Sequence, residues 1–507
     1  MWRRPRVRRL SGAGPPWQPR SVHSPTVPDR RPELQRRALA SIAGLPAPIR
    51  ELGEVFADAG HELALVGGPV RDAFLGEVSH DLDFTTSAHP DETVRLLRSW
   101  TDTWWDIGKE FGTIGARRDD LVVEVTTYRS EAYEVGSRKP AVEYGDTLEG
   151  DLSRRDFTVN AMAVRLPDLT FVDPHDGLGA LADGVLRTPV TATRSFDDDP
   201  LRIMRAARFA AQLGFAVAED VTAAMTELAP RLGIVSAERV RSELERLLVS
   251  ADPRRGLELM VDTGVADVVL PELSHLRQTV DEHKRHKDVY EHTLTVLDQA
   301  IALETGPEGP VPGPDPVLRL AAVMHDVGKP ATRRFEPGGG VSFHHHELVG
   351  AKLTTKRMRA LRFDKQTIKD VSRLVELHLR FHGYGDGAWT DSAVRRYVTD
   401  AGPLLERLHR LTRADCTTRN RRKAARLSAA YDDLEERIAR LREEEELAKI
   451  RPDLDGRQIM EILDVPAGPT VGEAYRFLLD LRMERGPLGA DAAREALLAW
   501  WQARPHS

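Results

Sequence analysis

Two aspartates at alternate positions, Asp81 and Asp83, open a segment whose alternating pattern predicts a β-strand over 81–86. Alternate residues of a strand face one side, so both carboxylates would project together, about 7 Å apart along the chain. Parallel carboxylates repel, and a divalent cation relieves the repulsion, with Mg²⁺ favoured by hard oxygen ligands. Two such ions could activate an attacking hydroxyl and steady a leaving pyrophosphate. An exposed turn would also explain the pair. Glu124, on the Val-rich and strand-like segment 121–127, is a candidate third carboxylate.

Two glycines mark a point where a phosphate could approach the backbone. Gly67 and Gly68 follow the strand-like segment 61–66 and precede a predicted helix that contains Arg71 and Asp72. Glycine allows close approach, and a helix N-terminus offers free N–H groups and positive potential. Arg71, one turn into the helix, could add a charge-assisted contact. Taken alone, Gly-Gly after a strand is more often a turn than a phosphate site.

A third string, DLSRRDFTVNA over 151–161, combines an arginine pair, an acid and an asparagine around an apolar helix start. Arg155 could neutralise a phosphate, and Asn160 could hold a sugar or phosphate oxygen. A helix N-terminus with a solvated arginine pair explains the string equally well. The order and spacing of the three strings are more specific than any one of them.

Six residues with metal-ligand side chains lie far downstream: His292, His325, Asp326, His346, His378 and Asp415. Imidazoles and carboxylates together suit a transition metal such as Mn²⁺, Fe, Co²⁺ or Ni²⁺, or Mg²⁺ with more water. The adjacent pair His325-Asp326 lies in an apolar run, where a buried pair needs a partner. His344, His345 and His382 are expected at the surface.

The elements that must position these groups change in type along the chain. Strand patterns and short helices alternate between about 45 and 190, and helical periodicity dominates from Asp199 onward. A Pro- and Gly-rich stretch over 305–316 predicts a surface loop, and 420–449 predicts a highly charged helix. Two amphipathic helices, 472–485 and 491–501, come last. The expected fold class is α+β, a mixed head followed by mostly helix.

The composition limits the function classes. The chain has 507 residues, 41% hydrophobic and 30% charged, which predicts several domains. One cysteine, Cys416, excludes an intrachain disulfide and a multi-cysteine zinc site. No run of about 18 apolar residues predicts a membrane span. The net charge of −7 argues, as a sum, against a nucleic-acid partner, although 61 of the 72 basic residues are arginines, which make bidentate phosphate contacts. Residues 1–37, with ten Arg and two acids, predict a disordered tail.

Together the head strings resemble the class II CCA-adding tRNA nucleotidyltransferase and bacterial poly(A) polymerase family. The matching strings, over nearly two hundred residues, are LVGGPVRDAFLG, HDLDFTT, VVEVTTYR, RRDFTVNAMA, FDDDPLRIMRAAR and SAERVRSEL. The resemblance implies a polymerase-β-like head with a mixed sheet and helices. It also implies that Asp81 and Asp83 hold catalytic Mg²⁺. Glu124, proposed from its place on the Val-rich strand, completes the predicted catalytic group. The implied nucleotide-binding set is Gly67, Gly68, Arg71, Asp72, Arg155, Asn160, Asp199, Arg202, Arg205 and Arg208.

The nucleotide-selecting motif departs from the family pattern at one position. The family has Glu-Asp-x-x-Arg, and this chain has Asp198-Asp199-Pro200-Leu201-Arg202. In the family the retained residues, Asp199 and Arg202, pair with the Watson–Crick edge of CTP or ATP. An Asp and an Arg on one helical turn offer acceptors and donors in fixed geometry. Without the surrounding motifs, Asp199 and Arg202 would be interpreted as an ordinary i,i+3 surface salt bridge. The family's Glu at the first position is replaced by the shorter Asp198, which leaves the orienting role of that position open.

The downstream group resembles the HD phosphohydrolase superfamily over about 130 residues, through DVYEHTL, RLAAVMHDVGKP, FHHHELVGAK, ELHLRFH and RADCTTRN. By this resemblance the minimal metal ligands would be His292, His325, Asp326 and Asp415. His346 and His378 would allow a second metal. Some CCA-adding enzymes resemble this chain in carrying such a domain with phosphatase or phosphodiesterase activity.

The predicted organisation is a tail over 1–37, a nucleotidyltransferase head over 38–193, a helical neck over 194–272, an HD domain over 273–420 and a helical C-terminal tail over 421–507. The predicted function is template-independent addition of C, C and A to the tRNA 3′ end from CTP and ATP, in the cytoplasm, with tRNA recognised by shape. A poly(A) polymerase, or an enzyme restricted to CC or A addition, would share the head motifs. An HD-type nucleotide phosphohydrolase with a non-catalytic RNA-binding head is the third alternative, and an intact Asp81/Asp83 pair argues against it. No oligomeric state is predicted.

Overall fold

The computed structural model describes residues 31–77, 81–132, 141–277, 289–337, 340–384, 389–418, 420–445 and 451–504. The described strands that precede residue 190 are β1 (Leu63–Val66), β2 (Asp81–Thr86), β3 (Thr103–Trp105), β4 (Thr113–Arg118), β5 (Leu121–Thr127), β6 (Arg129–Ala132), β7 (Ala141–Tyr144), β8 (Ala163–Leu166), β9 (Thr170–Val172) and β10 (Val185–Leu186). Those that follow it are β11 (Ala216–Val217), β12 (Arg334–Phe335) and β13 (Val341–Ser342). Residues 133–140, between β6 and β7, lie outside the described residues.

Helices occur in every part of the described chain. Those of the first half are α1 (Arg31–Ala43), α2 (Ala47–Asp58), α3 (Gly68–Leu75), α4 (Pro90–Trp100), α5 (Leu148–Ser153), α6 (Gly177–Asp183), α7 (Ala192–Asp198), α8 (Leu201–Leu213), α9 (Glu219–Leu228), α10 (Ala237–Leu248), α11 (Pro253–Asp262), α12 (Val265–Val269) and α13 (Pro271–Leu276). Those of the second half are α14 (Val289–Ala302), α15 (Pro316–Met324), α16 (Lys329–Thr332), α17 (His346–Ala360), α18 (Lys365–Leu377), α19 (Asp391–Ala401), α20 (Leu405–Asp415), α21 (Arg421–Glu445), α22 (Gly456–Leu463), α23 (Pro469–Arg485) and α24 (Ala490–Gln502). The α+β class is confirmed.

A mixed seven-stranded sheet forms the centre of the head, in the order β3-β4-β5-β2-β1-β8-β9. Strands β2 and β5 run parallel, and the other neighbouring pairs are antiparallel. Alternation along β2 and β5 buries Leu82, Phe84, Val123 and Val125, and helices α2 and α4 pack against the sheet. Asp83 and Glu124 occupy the alternate positions and are exposed. The sheet thus separates an apolar face from a face that carries carboxylates.

The predicted disordered tail is wrong for residues 31–37, which form the first half of α1. This helix buries Ala38 and Ile42 and packs on α3. The arginine-rich first half of the helix has no apolar periodicity that would predict a helix, because only a narrow stripe of α1 contacts the head. Residues 1–30 lie outside the described residues.

Two separate cores hold the helical part together. The main core continues from the head into the helices around α14, α15, α18 and α20, and includes Tyr431, Leu434, Ile438 and Leu441 of α21. Helices α22 to α24 pack around a core of their own, centred on Ile459 and Leu497. The predicted tail over 421–507 is therefore divided between the two cores. No helix in the described ranges has the length and apolarity needed to cross a membrane.

Candidate nucleotide and metal sites

The carboxylates of the predicted catalytic group lie on the two parallel strands at the middle of the sheet. Register places Asp83 of β2 opposite Glu124 of β5, and Asp81 opposite Val122. Partners in adjacent strands share a face, so Asp83 and Glu124 are side-by-side carboxylates on one surface. Of the three predicted catalytic positions, the sheet pairs these two directly and puts Asp81 two residues earlier on β2.

Gly67 occupies the turn between β1 and α3 in a conformation that favours glycine. Its φ is 72°, and a Cβ there would meet Nη1 of Arg155 at 3.1 Å. The turn therefore brings the start of α3 against an arginine that is 88 positions later in the chain. Gly68 is the first residue of α3. Two separately predicted strings, around Gly67 and around Arg155, are thus brought together.

A buried acid that sequence reasoning missed, Asp156, links three of the predicted residues. Arg71 donates from Nη1 to Oδ1 of Asn160 at 2.7 Å, and Asn160 donates from Nδ2 to Oδ1 of Asp156 at 3.1 Å. Arg205 donates from Nε to the other oxygen of Asp156 at 2.7 Å. Burial opposes ionisation of Asp156, yet Arg205 and Asn160 hold its pKa at about 2, so it is charged at neutral pH. Arg71 is also oriented by Asp72, which accepts from its Nε and Nη2 at 2.9 and 2.7 Å.

The arginine pair 154–155 follows the end of α5 and is not at a helix start, so that prediction is wrong. Asp151 is fully buried and binds both arginines, Arg154 at 2.8 Å and Arg155 at 3.1 Å. Burial raises the pKa of Asp151, but the charges of Arg155 and Arg154 bring it below its usual value. The pair is mostly buried, which excludes the solvated alternative. Nε of Arg155 is buried without a hydrogen-bond partner among the described residues, so it retains a donor for a ligand.

The two base-selecting positions are held by other residues and do not pair with each other. Asp199 accepts from the N–H of Leu201 at 3.1 Å and from Nη2 of Arg239 at 2.9 Å. Arg202 donates from Nη1 to Oγ of Ser195 at 3.0 Å and from Nη2 to the carbonyl oxygen of Arg154. The alternative of a simple i,i+3 salt bridge is therefore wrong. Arg239 and Ser195 were missed, because their partners are 40 and 7 positions away and no local pattern announces them.

Asp198, the position at which this chain differs from the family motif, is the last residue of α7 and is half-buried. Burial raises the pKa of its carboxyl, although Arg202 and Arg194 oppose the shift. Within the described part of the chain this carboxylate makes no hydrogen bond or ion pair. It therefore lacks the contacts that would let it orient Arg202 or Asp199 before a nucleotide binds.

The guanidinium of Arg208 is held by residues outside the predicted nucleotide-binding set, Glu243 and Gln212. Its Nε donates to Glu243 of α10 at 2.6 Å, and both side chains are buried. This ion pair links α8 to α10, so the nucleotide contact predicted for Arg208 stays a prediction. The ring of Phe209, also missed, lies 5.3, 5.6 and 3.9 Å from the guanidinium carbons of Arg71, Arg205 and Arg208. Such cation–π packing restricts all three side chains.

The six downstream ligand candidates converge, as the resemblance to the HD superfamily implies. Three histidines share one device: Nδ1 of His325, His346 and His378 lies 2.7, 2.9 and 2.7 Å from the carbonyl oxygen three residues earlier. A carbonyl only accepts, so Nδ1 carries the proton and Nε2 presents a lone pair. Nε2 of His346 and His378 is buried with no hydrogen-bond partner among the described residues. Buried, unsatisfied acceptors of this kind fit a metal ion.

Asp326 stands between two groups of possible ligands. His346 Nε2 lies 3.2 Å from its Oδ1, and His325 Nε2 and His292 Nε2 lie 3.3 and 3.5 Å from its Oδ2. Asp415 Oδ1 lies 2.9 Å from His292 Nε2. The described residues thus form one triad of His292, His325 and Asp415 and a second of Asp326, His346 and His378. Asp326 thus lies within 3.5 Å of histidines of both triads, and each triad has donors that would suit a divalent metal ion.

The electrostatics of this cluster keep His378 and Asp326 in the forms that coordinate metals. Burial lowers the pKa of His325, but the adjacent Asp326 outweighs burial and raises it above its usual value, so a bound metal ion would displace that proton. Burial lowers the pKa of His378 to about 3, so the imidazole is neutral. Burial raises the pKa of Asp326, but His325 and Lys329 hold it well below its usual range. Two residues were missed here: Lys329, 2.8 Å from Asp326, and Thr417, whose Oγ1 lies 3.1 Å from Nδ1 of His292. His344 and His345 are exposed as predicted, and the side chain of His382 lies outside the described residues.

Comparison with protein families matches three consecutive parts of the chain. The Poly A polymerase head domain matches residues 63–187. The probable RNA and SrmB-binding site of polymerase A matches 214–276, and the HD domain matches 289–420.

A relative of nearly the same extent decides the family. The A-adding tRNA nucleotidyltransferase of Deinococcus radiodurans is 34% identical over 447 residues, covering 86% of this chain and 95% of that protein. The chain belongs to the tRNA nucleotidyltransferase and poly(A) polymerase family. It is a nucleotidyltransferase, and enzymes of this family use a divalent metal ion.

Other members of the tRNA nucleotidyltransferase family match over the first part of the chain. The CCA-adding enzyme of Leuconostoc mesenteroides is 42% identical over 203 residues, 40% of this chain and 49% of that enzyme. That of Streptococcus gordonii is 39% identical over 225 residues, 44% of this chain and 55% of that enzyme. The chain thus aligns with about half the length of these relatives.

Solved structures of the family share the fold. The Bacillus stearothermophilus CCA-adding enzyme in complex with CTP superposes with a TM-score of 0.64 at 24% identity, over 91% of this chain and 99% of that one. The Thermotoga maritima CCA-adding enzyme complexed with tRNA has a TM-score of 0.59 at 19% identity, over 92% and 98%. The head, with its mixed sheet, and the helical remainder are therefore arranged as in this family.

Proposed function

We propose that this nucleotidyltransferase adds C, C and A to the 3′ end of tRNA from CTP and ATP, without a nucleic-acid template. The observation that carries the proposal is the fixing of Asp199 and Arg202 by separate neighbours, Arg239 and Ser195. Acceptors and donors held in this way offer a rigid edge to a base, as a template base would. The family relationship and the CCA-adding relatives support this choice of substrate. We place the enzyme in the cytoplasm.

The chemistry proposed is in-line attack of the RNA 3′-hydroxyl on the α-phosphorus. The bond from that phosphorus to the β-phosphate oxygen breaks, pyrophosphate leaves, and the hydroxyl proton is lost to solvent. Asp81, Asp83 and Glu124 would hold Mg²⁺, which lowers the pKa of the hydroxyl and neutralises phosphate charge when bound. Arg71 and Arg155 would offset the negative charge of the triphosphate. Gly67 and Gly68 would let its oxygens reach the N-terminus of α3.

A second candidate is addition of A alone. The Deinococcus radiodurans relative that spans nearly the whole chain is named an A-adding enzyme. The head motifs are common to both activities, so extension of defined substrates has to separate them.

For the downstream cluster we propose a metal-dependent phosphohydrolase activity. His292, His325, Asp326 and Asp415 would hold one metal ion, and His346 and His378 would complete a second site. The fit rests on the unsatisfied Nε2 atoms of His346 and His378. Histidine and carboxylate donors suit Mn²⁺, Co²⁺ or Ni²⁺, with Mg²⁺ as the oxygen-rich alternative.

The test uses two transcripts of one tRNA, one lacking CCA and one ending in CC, with labelled CTP and ATP and single-nucleotide resolution of the products. CCA addition predicts three nucleotides on the first transcript and one on the second. Extension of the CC transcript alone selects the A-adding candidate. Long A tails would contradict both. Asp83→Ala, which removes a predicted metal ligand, is the matched inactive control.

A further inference from the structure

A groove in the HD part of the chain concentrates basic side chains. Its volume is about 1050 Å³, and it is bordered by α17, α18 and the end of α19. From α17 it receives Lys352, Lys356 and Arg359, whose i, i+4, i+7 spacing places them on one helix face. Lys369 and Arg373 face them from α18. Basic residues therefore line both helical walls.

Three acids, Asp370, Glu376 and Asp400, also line the groove, but four of its five cations form no ion pair within the described residues. Arg373 binds Glu376 at 3.0 Å and Asp400 at 3.5 Å. The other four are exposed and form no ion pair or hydrogen bond with any residue that the structure describes: Lys352, Lys356, Arg359 and Lys369. Four neighbouring cations repel each other, and this chain, with a net charge of −7, has ample acids to pair with them. Their grouping points to an anion from outside the chain.

The shape of the groove favours a polymer over a small anion. The first and last cations of α17 lie seven positions apart, which is about 10 Å of helix, so the three cannot converge on a single phosphate. The walls also carry the hydroxyls of Thr355 and Ser372, whose oxygen atoms lie 2.8 Å apart. The lining includes the apolar side chains of the half-exposed Leu348 and of Pro403. Spaced cations, hydroxyl donors and apolar surface together suit a sugar–phosphate chain. A membrane surface would fit a flat or convex basic face better than this concave one.

The groove is connected to the nucleotide-selecting residues through α10. Arg239 of this helix holds Asp199. Two residues later, Arg241 donates to the carbonyl oxygen of Arg362, in the turn between α17 and α18, and lies 6.0 Å from the ring of Phe363. The hairpin that carries the groove thus contacts α10 beside the nucleotide site. Helix α10 therefore contacts both the nucleotide-selecting Asp199 and the hairpin that carries the groove.

We propose that the groove between α17 and α18 binds the sugar–phosphate backbone of the tRNA upstream of its 3′ end. The inference rests on the proposed function, which identifies tRNA as the substrate. It adds a second contact surface, on the HD part of the chain, to the contacts in the head and neck.

The test compares the full-length triple variant Lys352→Gln/Lys356→Gln/Lys369→Gln with the wild type. The matched control is Lys365→Gln, an exposed lysine on α18 that does not line the groove. Direct binding of tRNA lacking CCA is measured from 50 to 200 mM salt, roughly the range over which phosphate contacts dominate the salt dependence. The triple variant should bind tRNA at least tenfold more weakly at the lower salt, and the slope of log K against log salt should fall by about one per lost contact. The KM for CTP should stay unchanged.

Two outcomes are kept apart by this design. Equal tRNA affinity and equal salt slope in the triple variant and the wild type overturn the groove proposal. The same result is expected if the groove binds a polyanion other than tRNA, and it overturns the proposal in that case too. A wild type that binds tRNA through the groove but extends no transcript overturns the proposed function instead. Equal thermal melting of the variant and wild type verifies that the substitutions leave the fold intact.

Discussion

Arg239 donates a hydrogen bond to Asp199 across 40 positions of sequence, with 2.9 Å between Nη2 and Oδ2. The other carboxylate oxygen of Asp199 accepts from the backbone N–H of Leu201. Both oxygens are therefore oriented before any nucleotide arrives. Because a preoriented group loses little freedom on binding, this pairing should contribute to nucleotide affinity and selectivity.

Arg239→Gln should weaken nucleotide selection. Without the guanidinium, Asp199 can rotate, so we expect KM for CTP and ATP to rise about tenfold, or about 1.4 kcal/mol, with more incorporation of UTP and GTP. Steady-state incorporation with each nucleotide measures this. The matched control is Arg231→Gln, which removes an exposed ion pair with Asp197 on the same segment and should change KM less than twofold. Unchanged selectivity in Arg239→Gln would contradict the orienting role.

Asp83→Asn should abolish nucleotidyl transfer, and Glu124→Gln should reduce it less. The two carboxylates are register partners on adjacent parallel strands, and removing one negative charge weakens the binding of a divalent ion. We expect a loss of at least about 10³-fold in kcat for Asp83→Asn with tRNA affinity retained. Asp120→Asn, in the exposed turn that joins β4 and β5, is the charge-matched control. Retained transfer in Asp83→Asn would show that the metal assignment is wrong.

The downstream cluster should bind two metal ions per chain. His378→Ala removes a buried ligand with an unsatisfied Nε2 and should leave one ion, whereas His344→Ala, at an exposed histidine, should leave two. Elemental analysis after loading with Mn²⁺ or Ni²⁺ and gel filtration gives the difference of one ion between His378→Ala and wild type, because any ion at the sheet carboxylates is common to all three proteins. Nucleotidyl transfer should be equal in all three proteins, because the cluster and the sheet carboxylates are separate groups. If His378→Ala lost nucleotidyl transfer together with the metal ion, the interpretation of two separate sites would be contradicted.

Local patterns were sufficient for the elements that carry the predicted ligands. Strands β2 and β5 have the predicted bounds, 81–86 and 121–127, because alternation and β-branched residues mark a half-buried strand. The grouping of His292 with Asp415 was predicted from the resemblance to the HD superfamily, with the apolar context around His325 as support. In both regions the chemistry is carried by residues within a single periodic segment or a recognisable string.

The features that were missed depend on contacts between distant segments. Asp156 is visible in the string RRDFTVN, yet its partner Arg205 is 49 positions later, and only the fold brings the two together. The pairing of Arg208 with Glu243 has the same origin. Helix α1 was missed because its stability comes from tertiary packing of a few residues, such as Ala38, and not from its own periodicity.

Asp156→Asn should destabilise the protein in a pH-dependent way. The pKa of Asp156 is depressed to about 2 in the folded state, against 3.8 for the unfolded group. A depressed carboxylate stabilises the fold fully above the unfolded value, and that contribution, about 2 kcal/mol here, is lost as pH falls from 3.8 towards 2. Urea unfolding of wild type and variant at pH 7, 5, 4 and 3 should therefore give a difference in unfolding free energy that is constant from pH 7 to 5 and smaller at pH 4 and 3. Asp197→Asn, at an exposed ion pair, should show a small difference at every pH. A difference for Asp156→Asn that stays constant down to pH 3 would mean that its charge contributes nothing and that Arg205 is held by other contacts.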